Sequence, residues 1–189
     1  MLHCVVNTFL QGPLFLRKAA YRISQYYNQH YLKNDPPSDV AKYLVWHLQN
    51  AGYDLSKGPD PAEVVVALRD RVHTLKEMAE KAKCWFCPLT EADIDAAAAT
   101  KQLTAAVREP LGVFTAKLEA LPGWTLSGVH EAFAGTLAEL NLAMGKVGPA
   151  IRVAVTGSTA SPSIDHTVYL CGRETALARL HAAIGSLPQ

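Results

Sequence analysis

The sequence predicts an all-α fold, a helical bundle, on three observations. Apolar residues recur at helical spacing along most of the chain. Prolines, capping boxes and glycines punctuate those stretches. Only one segment alternates as a strand would. No internal repeat of solenoid length is present.

Each element has its own signal. After Pro36-Pro37, Ser38 is expected to cap a helix with Val40, Tyr43, Leu44 and His47 or Leu48 on one face, stopped by Gly52. Asp60-Pro61-Ala62-Glu63 supplies an N-cap, a proline at the first helical position and an acid at the third, ahead of Val64, Val65 and Leu68. Thr74 and Glu77 form a capping box for a helix carrying Leu75, Met78, Ala79, Ala82 and Trp85 or Phe86, which Pro88 ends. Thr90 to Asp93 begins a short alanine-rich helix. A longer one is predicted over about 104–121, broken or kinked by Pro110. Trp124-Thr125 opens a helix with Val129, Phe133, Leu137 and Leu140 on its period, and the last helix, from Arg173, carries Leu177, Leu180 and Ile184.

The exception is Ile151 to Thr156, β-branched and alternating, which on propensity alone reads as a strand. It is assigned to a helix because Pro149 suits a first turn, Gly157 suits a stop, and no second strand is available to pair with it.

With 189 residues, 49% of them hydrophobic, the chain can bury a substantial core as one domain or two small ones; alanines cluster between Pro88 and Thr104, a candidate boundary. A net charge of +1 excludes a polybasic protein that holds phosphates by bulk charge. The first 83 residues carry 11 Lys/Arg against 8 Asp/Glu and the remainder 7 against 9, so the N-terminal half is the expected phosphate-facing side. Cys4, Cys84, Cys87 and Cys171 are too sparse for a disulfide framework, and the lone Cys84-Trp-Phe-Cys87 reads as two small buried hydrophobes, not a metal or redox site. The seven histidines are scattered, and spacing suggests no nucleophilic triad or paired carboxylates, so no catalytic residue is assigned. His30 and Tyr31, with Lys33, line either an RNA face or the core. Arg17 and Lys18 follow the apolar start instead of preceding it, and no apolar run is long enough for a bilayer. The expectation is a cytoplasmic protein with no signal peptide and no membrane helix.

The most particular run lies between Gly148 and Leu180, GPAIRVAVTGSTASPSIDHTVYLCGRETALARL. It contains Arg152 and Thr156-Gly157 in an Arg-x-x-x-Thr-Gly turn, the Ser161-Pro162 step, and Leu170-Cys-Gly-Arg-Glu174 opening a helix. In that order these words resemble the C-terminal, anticodon-binding portion of bacterial glutamyl-tRNA synthetases, which are class I aminoacyl-tRNA synthetases. Asn28-Gln-His-Tyr31, Gly58-Pro-Asp, Arg71 to Met78, Trp124-Thr and Met144-Gly-Lys-Val147 extend the resemblance over roughly residues 26–184. It departs from the pattern at Tyr26, where the family has tryptophan, and residues 1–20 match nothing, an unplaced leader or connector. The HIGH-like and KMSKS-like sequences of a class I catalytic domain are missing, so this chain is not expected to activate an amino acid.

The resemblance implies a helical cage of two anticodon-binding subdomains, residues 21–100 and 101–189, in a monomer whose partner is the tRNA(Glu) anticodon stem-loop, not DNA. It implies a full-length parent that joins glutamate to its tRNA with ATP and Mg2+, with no cofactor or metal in this chain. Arg71 aligns with the arginine that reads the last anticodon base. A guanidinium only donates, so it suits the O2 and N3 acceptors of cytosine and opposes the donors of guanine, the discriminating pattern. Read without the resemblance, Arg71 closes a helix and pairs with Asp70 or Glu77. Ser161, Pro162 and Ile164 align with the loop that holds the first two bases: a hydroxyl with neighbouring backbone groups, a stiff backbone and an apolar wall. Arg152 either contacts the anticodon loop or pairs with Glu174. The competing reading is a non-catalytic, all-helical protein-interaction module, which the near-neutral charge and acidic second half favour.

Overall fold

A computed structural model of the chain describes residues 29–188. Residues 29–34 are helical and lead into α1 (Pro37–Asn50), α2 (Pro61–Leu68), α3 (Leu75–Phe86), α4 (Ala96–Gln102), α5 (Arg108–Glu119), α6 (Leu126–Glu139), α7 (Met144–Thr156), α8 (Ile164–Leu170) and α9 (Arg173–Ser186). Short 3-10 turns at Glu91–Asp93 and Ala105–Val107 precede α4 and α5. No strand occurs among the described residues, in agreement with the all-α expectation. None of the helices among these residues is long and apolar enough to cross a membrane.

The described residues divide into two compact units. The first holds residues 29–51 and Pro61–Glu80, and the second holds Gly52–Asp60 and residues 81–188. In the first unit α1 packs on α2. Its core contains Val40, Leu44, Leu48, Val64, Val65, Leu68 and Met78, each almost wholly withdrawn from water. In the second, α5 and α6 pack together, α8 lies on α6 and α7, and α9 on α5 and α7. Phe114 and Phe133 meet edge to face there at 5.8 Å. Burying a ring such as Phe114 stabilises the fold by about 1.5–3 kcal/mol.

Several boundaries differ from the expectation, each for a local reason. Pro37 takes the first helical position of α1, so Ser38 lies inside the helix and no side chain caps it. Tyr43, expected on the core face, is 70% exposed, because Val40, Ala41, Leu44 and Leu48 complete the buried stripe without it. Thr74 caps as expected, its Oγ accepting from the Glu77 amide at 3.1 Å, but Glu77 reaches past it to accept from the His73 amide at 3.0 Å. The Thr90–Asp93 box closes only a 3-10 turn, and Asp95 is the real cap of α4, accepting from the amides of Ala97 and Ala98. Pro110 sits in the first turn of α5, where its missing N–H costs nothing, so it neither breaks nor kinks the helix. Around α9 the buried line is Ala176, Leu180 and Ala183; Leu177 and Ile184 are half-buried.

The ambiguous segment is helical. α7 begins at Met144, so Pro149 stands inside it, and Gly157 at φ +77° ends it in the left-handed conformation that glycine adopts without strain. Val147, Gly148, Ala150, Ile151, Val153, Ala154, Val155 and Thr156 are all buried. A helix covered on nearly every side shows no polar stripe, which is why its sequence alternated like a strand.

Candidate functional site

In the second unit the site begins where α7 ends. Gly157 turns the chain into residues 158–163, and α8 starts at Ile164. A Cβ on Gly157 would lie 2.5 Å from the Asp93 carbonyl oxygen, and the Asp95 amide donates to the Gly157 carbonyl at 2.9 Å. Only glycine permits both the φ and this approach. The Thr156 hydroxyl sits between the carbonyls of Arg152 and Ser158, at 2.9 and 3.0 Å.

Four of the five sequence-assigned residues gather around this loop. Arg152, on α7, donates from Nη2 to the Pro162 carbonyl at 3.2 Å, so its guanidinium braces the loop from within. Ser161 is buried and its Oγ accepts from Thr167 Oγ1 at 3.2 Å. Pro162 is buried beside it. Ile164 is 4% exposed, its Cδ1 seated where a Cβ on Gly148 would be, 2.6 Å away. These side chains shape the loop from beneath, and the exposed residues at its crest are Thr159 and Ala160. Behind the loop, burial pushes the Asp165 carboxyl up, but hydrogen bonds from Ser163 and the His166 backbone outweigh it and hold the group below the usual range. His130 Nδ1 stands 3.4 Å from this carboxylate.

Two tryptophans pin α8. Trp85 Nε1 donates to the Thr167 carbonyl at 3.2 Å and Trp124 Nε1 to the Tyr169 carbonyl at 2.9 Å. Arg179, on α9, donates from Nη1 to the carbonyls of Cys84 and Val155, at 2.8 and 2.7 Å, and from Nη2 to that of Cys87 at 3.0 Å. Sequence reasoning passed over Arg179, since a single arginine on an amphipathic helix reads as a solvated residue and backbone acceptors leave no mark in a sequence. Cys84 and Cys171 are inert by environment: burial pushes the thiol of Cys84 up to about 12 and that of Cys171 up to about 11. Among the described residues no cluster of His, Cys, Asp or Glu could hold a metal ion.

The fifth residue, Arg71, belongs to the first unit. It is exposed in the turn after α2, its amide donating to the Leu68 carbonyl at 2.8 Å. Asp70, its sequence neighbour, lies 3.8 Å from Lys33. The same unit carries a cleft of about 530 Å3 lined by residues that include Tyr31, Tyr43, His47, Thr74 and Lys76. Tyr31 is 55% exposed, and Trp46 on α1 is 61% exposed.

Comparison with known proteins agrees with this architecture. The glutamate–tRNA ligase of Xylella fastidiosa (strain M23) is 49% identical over 157 residues, covering 83% of this chain and 33% of the relative. That of Xanthomonas oryzae pv. oryzae (strain PXO99A) is 50% identical over 157 residues, with the same coverage. The chain thus spans about a third of the length of the curated relatives it matches. Among solved structures, a glutamate tRNA ligase from Elizabethkingia meningosepticum CCUG26117 superposes with a TM-score of 0.74 at 18% identity, covering 87% of this chain and 32% of that one, a likeness of fold. The glutamate-tRNA synthetase of Elizabethkingia anophelis gives a TM-score of 0.70, also at 18% identity, over 86% of this chain and 31% of that one. A family model described as an anticodon binding domain matches residues 22–184, and the chain belongs to that family.

Proposed function

We propose that this chain is the anticodon-reading part of a monomeric, cytoplasmic glutamate–tRNA ligase. It holds the anticodon stem-loop of tRNA(Glu) while a catalytic part, using ATP and Mg2+, attaches glutamate; the chain alone is inactive in that reaction. The observation that carries the reading is 49% identity over 157 residues to glutamate–tRNA ligases, together with a family match over residues 22–184 that spans every residue of the candidate site. Arg71 reads the last anticodon base, donating to the O2 and N3 of cytosine. The backbone of the 158–163 loop, stiffened by Pro162 and braced by Arg152, holds the first two bases, with Ser161 and Ile164 fixing its shape from below.

Fluorescence anisotropy at fixed low salt tests this, with anticodon stem-loops ending in UUC and UUG against the chain and its Arg71→Ala variant. The expected result is a preference for UUC that shrinks in the variant by about 1–3 kcal/mol, the worth of one base-reading contact. Equal or absent binding to both stem-loops favours the second reading, a helical protein-interaction module. The exposed aromatic residues of the first unit, Tyr31 and Tyr43 lining its cleft and Trp46 on α1, are the observation on its side.

A further inference from the structure

We infer that Arg179 is a positioning residue for the anticodon loop: one guanidinium joins the carboxyl ends of two helices and thereby fixes the 157–163 loop in the shape that RNA bases meet. The inference rests on the anticodon-reading function proposed above.

The geometry is specific. Cys84 lies in the last turn of α3 and Cys87 just beyond it, while Val155 lies in the last turn of α7, two residues before the Gly157 turn. Carbonyls in a helix's last turn have no intrahelical donor and carry the negative end of its dipole. At α7 the Gly157 amide returns only to Val153, and at α3 the Cys87 amide returns only to Lys83. The Val155 and Cys84 carbonyls are therefore left to be satisfied from outside, and Arg179 serves both. Nη1 serves these two carbonyls and also approaches the Cys171 sulfur at 3.4 Å, while Nη2 serves the Cys87 carbonyl. Charge-assisted bonds of this kind are roughly twice as strong as neutral ones. Lysine, a point charge without the planar fork, cannot reproduce the bridge.

Two consequences separate this from ordinary core packing. The Cys-x-x-Cys word acts through its backbone: the carbonyls of Cys84 and Cys87 are the groups used. Arg179 also acts through the loop, not on the RNA, because it is half-buried with its donors turned onto carbonyls. Losing it frees the end of α7, so the loop must be ordered when RNA binds, and that ordering weakens binding.

The test uses the full chain and its Arg179→Lys and Arg179→Met variants, with Phe114→Leu as a control destabilised elsewhere in the second unit. Amide hydrogen exchange is read at Gly157, Ser158 and Ala160, and anisotropy with the UUC stem-loop is read across a salt series. In both Arg179 variants the loop amides are expected to exchange roughly tenfold faster, with α5 and α6 unchanged, and UUC affinity to fall roughly tenfold. The slope of log affinity on log salt stays as in the parent, since no phosphate contact is lost. Phe114→Leu is expected to lower the unfolding midpoint without this selective loosening. Unchanged loop protection in Arg179→Lys and Arg179→Met, or loosening equal to that in Phe114→Leu, overturns the inference. So does a salt slope lowered by about 1, which marks a direct phosphate contact. If the parent chain binds neither stem-loop, the functional reading fails, and the exchange arm still decides whether Arg179 holds the loop.

Discussion

Asp95 and Gly157 are joined through their backbones, the amide of one donating to the carbonyl of the other at 2.9 Å, and this contact seats the turn that ends α7. Because Gly157 is at φ +77° with the Asp93 carbonyl oxygen 2.5 Å from its would-be Cβ, Gly157→Ala must both strain the backbone and push two segments apart. The left-handed conformation alone costs about 1–2 kcal/mol for an L-residue. Urea unfolding of the variant should show a midpoint lowered by at least that much at unchanged slope, and an unaltered midpoint would contradict the seating described.

Gly148→Ala should behave differently. There the obstacle is the terminal methyl of Ile164, 2.6 Å from the added Cβ, and a side-chain end can turn away where a backbone carbonyl cannot. The expected stability loss is small for overpacking, about 1 kcal/mol. Affinity for the UUC stem-loop should nevertheless drop, because Ile164 underlies the loop. Anisotropy and thermal unfolding on the same sample separate the two effects.

Asp93 should resist protonation until the pH is low. Hydrogen bonds from Lys83, then from the Thr90 side chain and backbone, hold its carboxyl down to about 2. The folded pKa lies below the unfolded value of about 3.9, so the stabilisation is present above that value and is lost as pH falls through about 2. A carboxyl-carbon NMR titration is expected to place the Asp93 midpoint near 2 and to move it upward in Lys83→Met.

Thiol chemistry offers a further check. With burial holding Cys84 near 12 and Cys171 near 11, both stay protonated at pH 8 and are poor nucleophiles. Iodoacetamide followed by peptide mass mapping should leave both unmodified in the folded chain and modify both in urea. Rapid labelling of either thiol under native conditions would show that its surroundings are open.

How far the fold could be read from the sequence depended on how each residue finds its partner. α2 and α3 were legible because proline, the Thr74 cap and one-sided burial of Val64, Leu68, Met78 and Ala82 all act within a few residues. α7 was obscure because it is buried nearly all round and its proline lies inside it. The face of α9 was displaced because small Ala176 and Ala183 pack inward where larger Leu177 and Ile184 were expected to. Of the candidate site, the order of neighbouring words is what put Arg71 and the Ser161-Pro162 step forward as proposed positions, whereas nothing in the sequence could put forward Arg179, its acceptors being backbone carbonyls that any residue supplies.

The bridge at Arg179 differs in kind from the contacts on the other flank of the loop. Its acceptors are backbone carbonyls, which have no proton to gain, and its donor is a charged planar fork. The opposite flank is a neutral backbone bond, the Asp95 amide on the Gly157 carbonyl, and the Asp93 carboxylate serves Lys83 and Thr90, not the loop. Neither fastening has a proton to gain, so acid reaches the loop only through the 90–93 turn that the Asp93 carboxylate closes, and the end of α7 should keep its shape for as long as that turn holds.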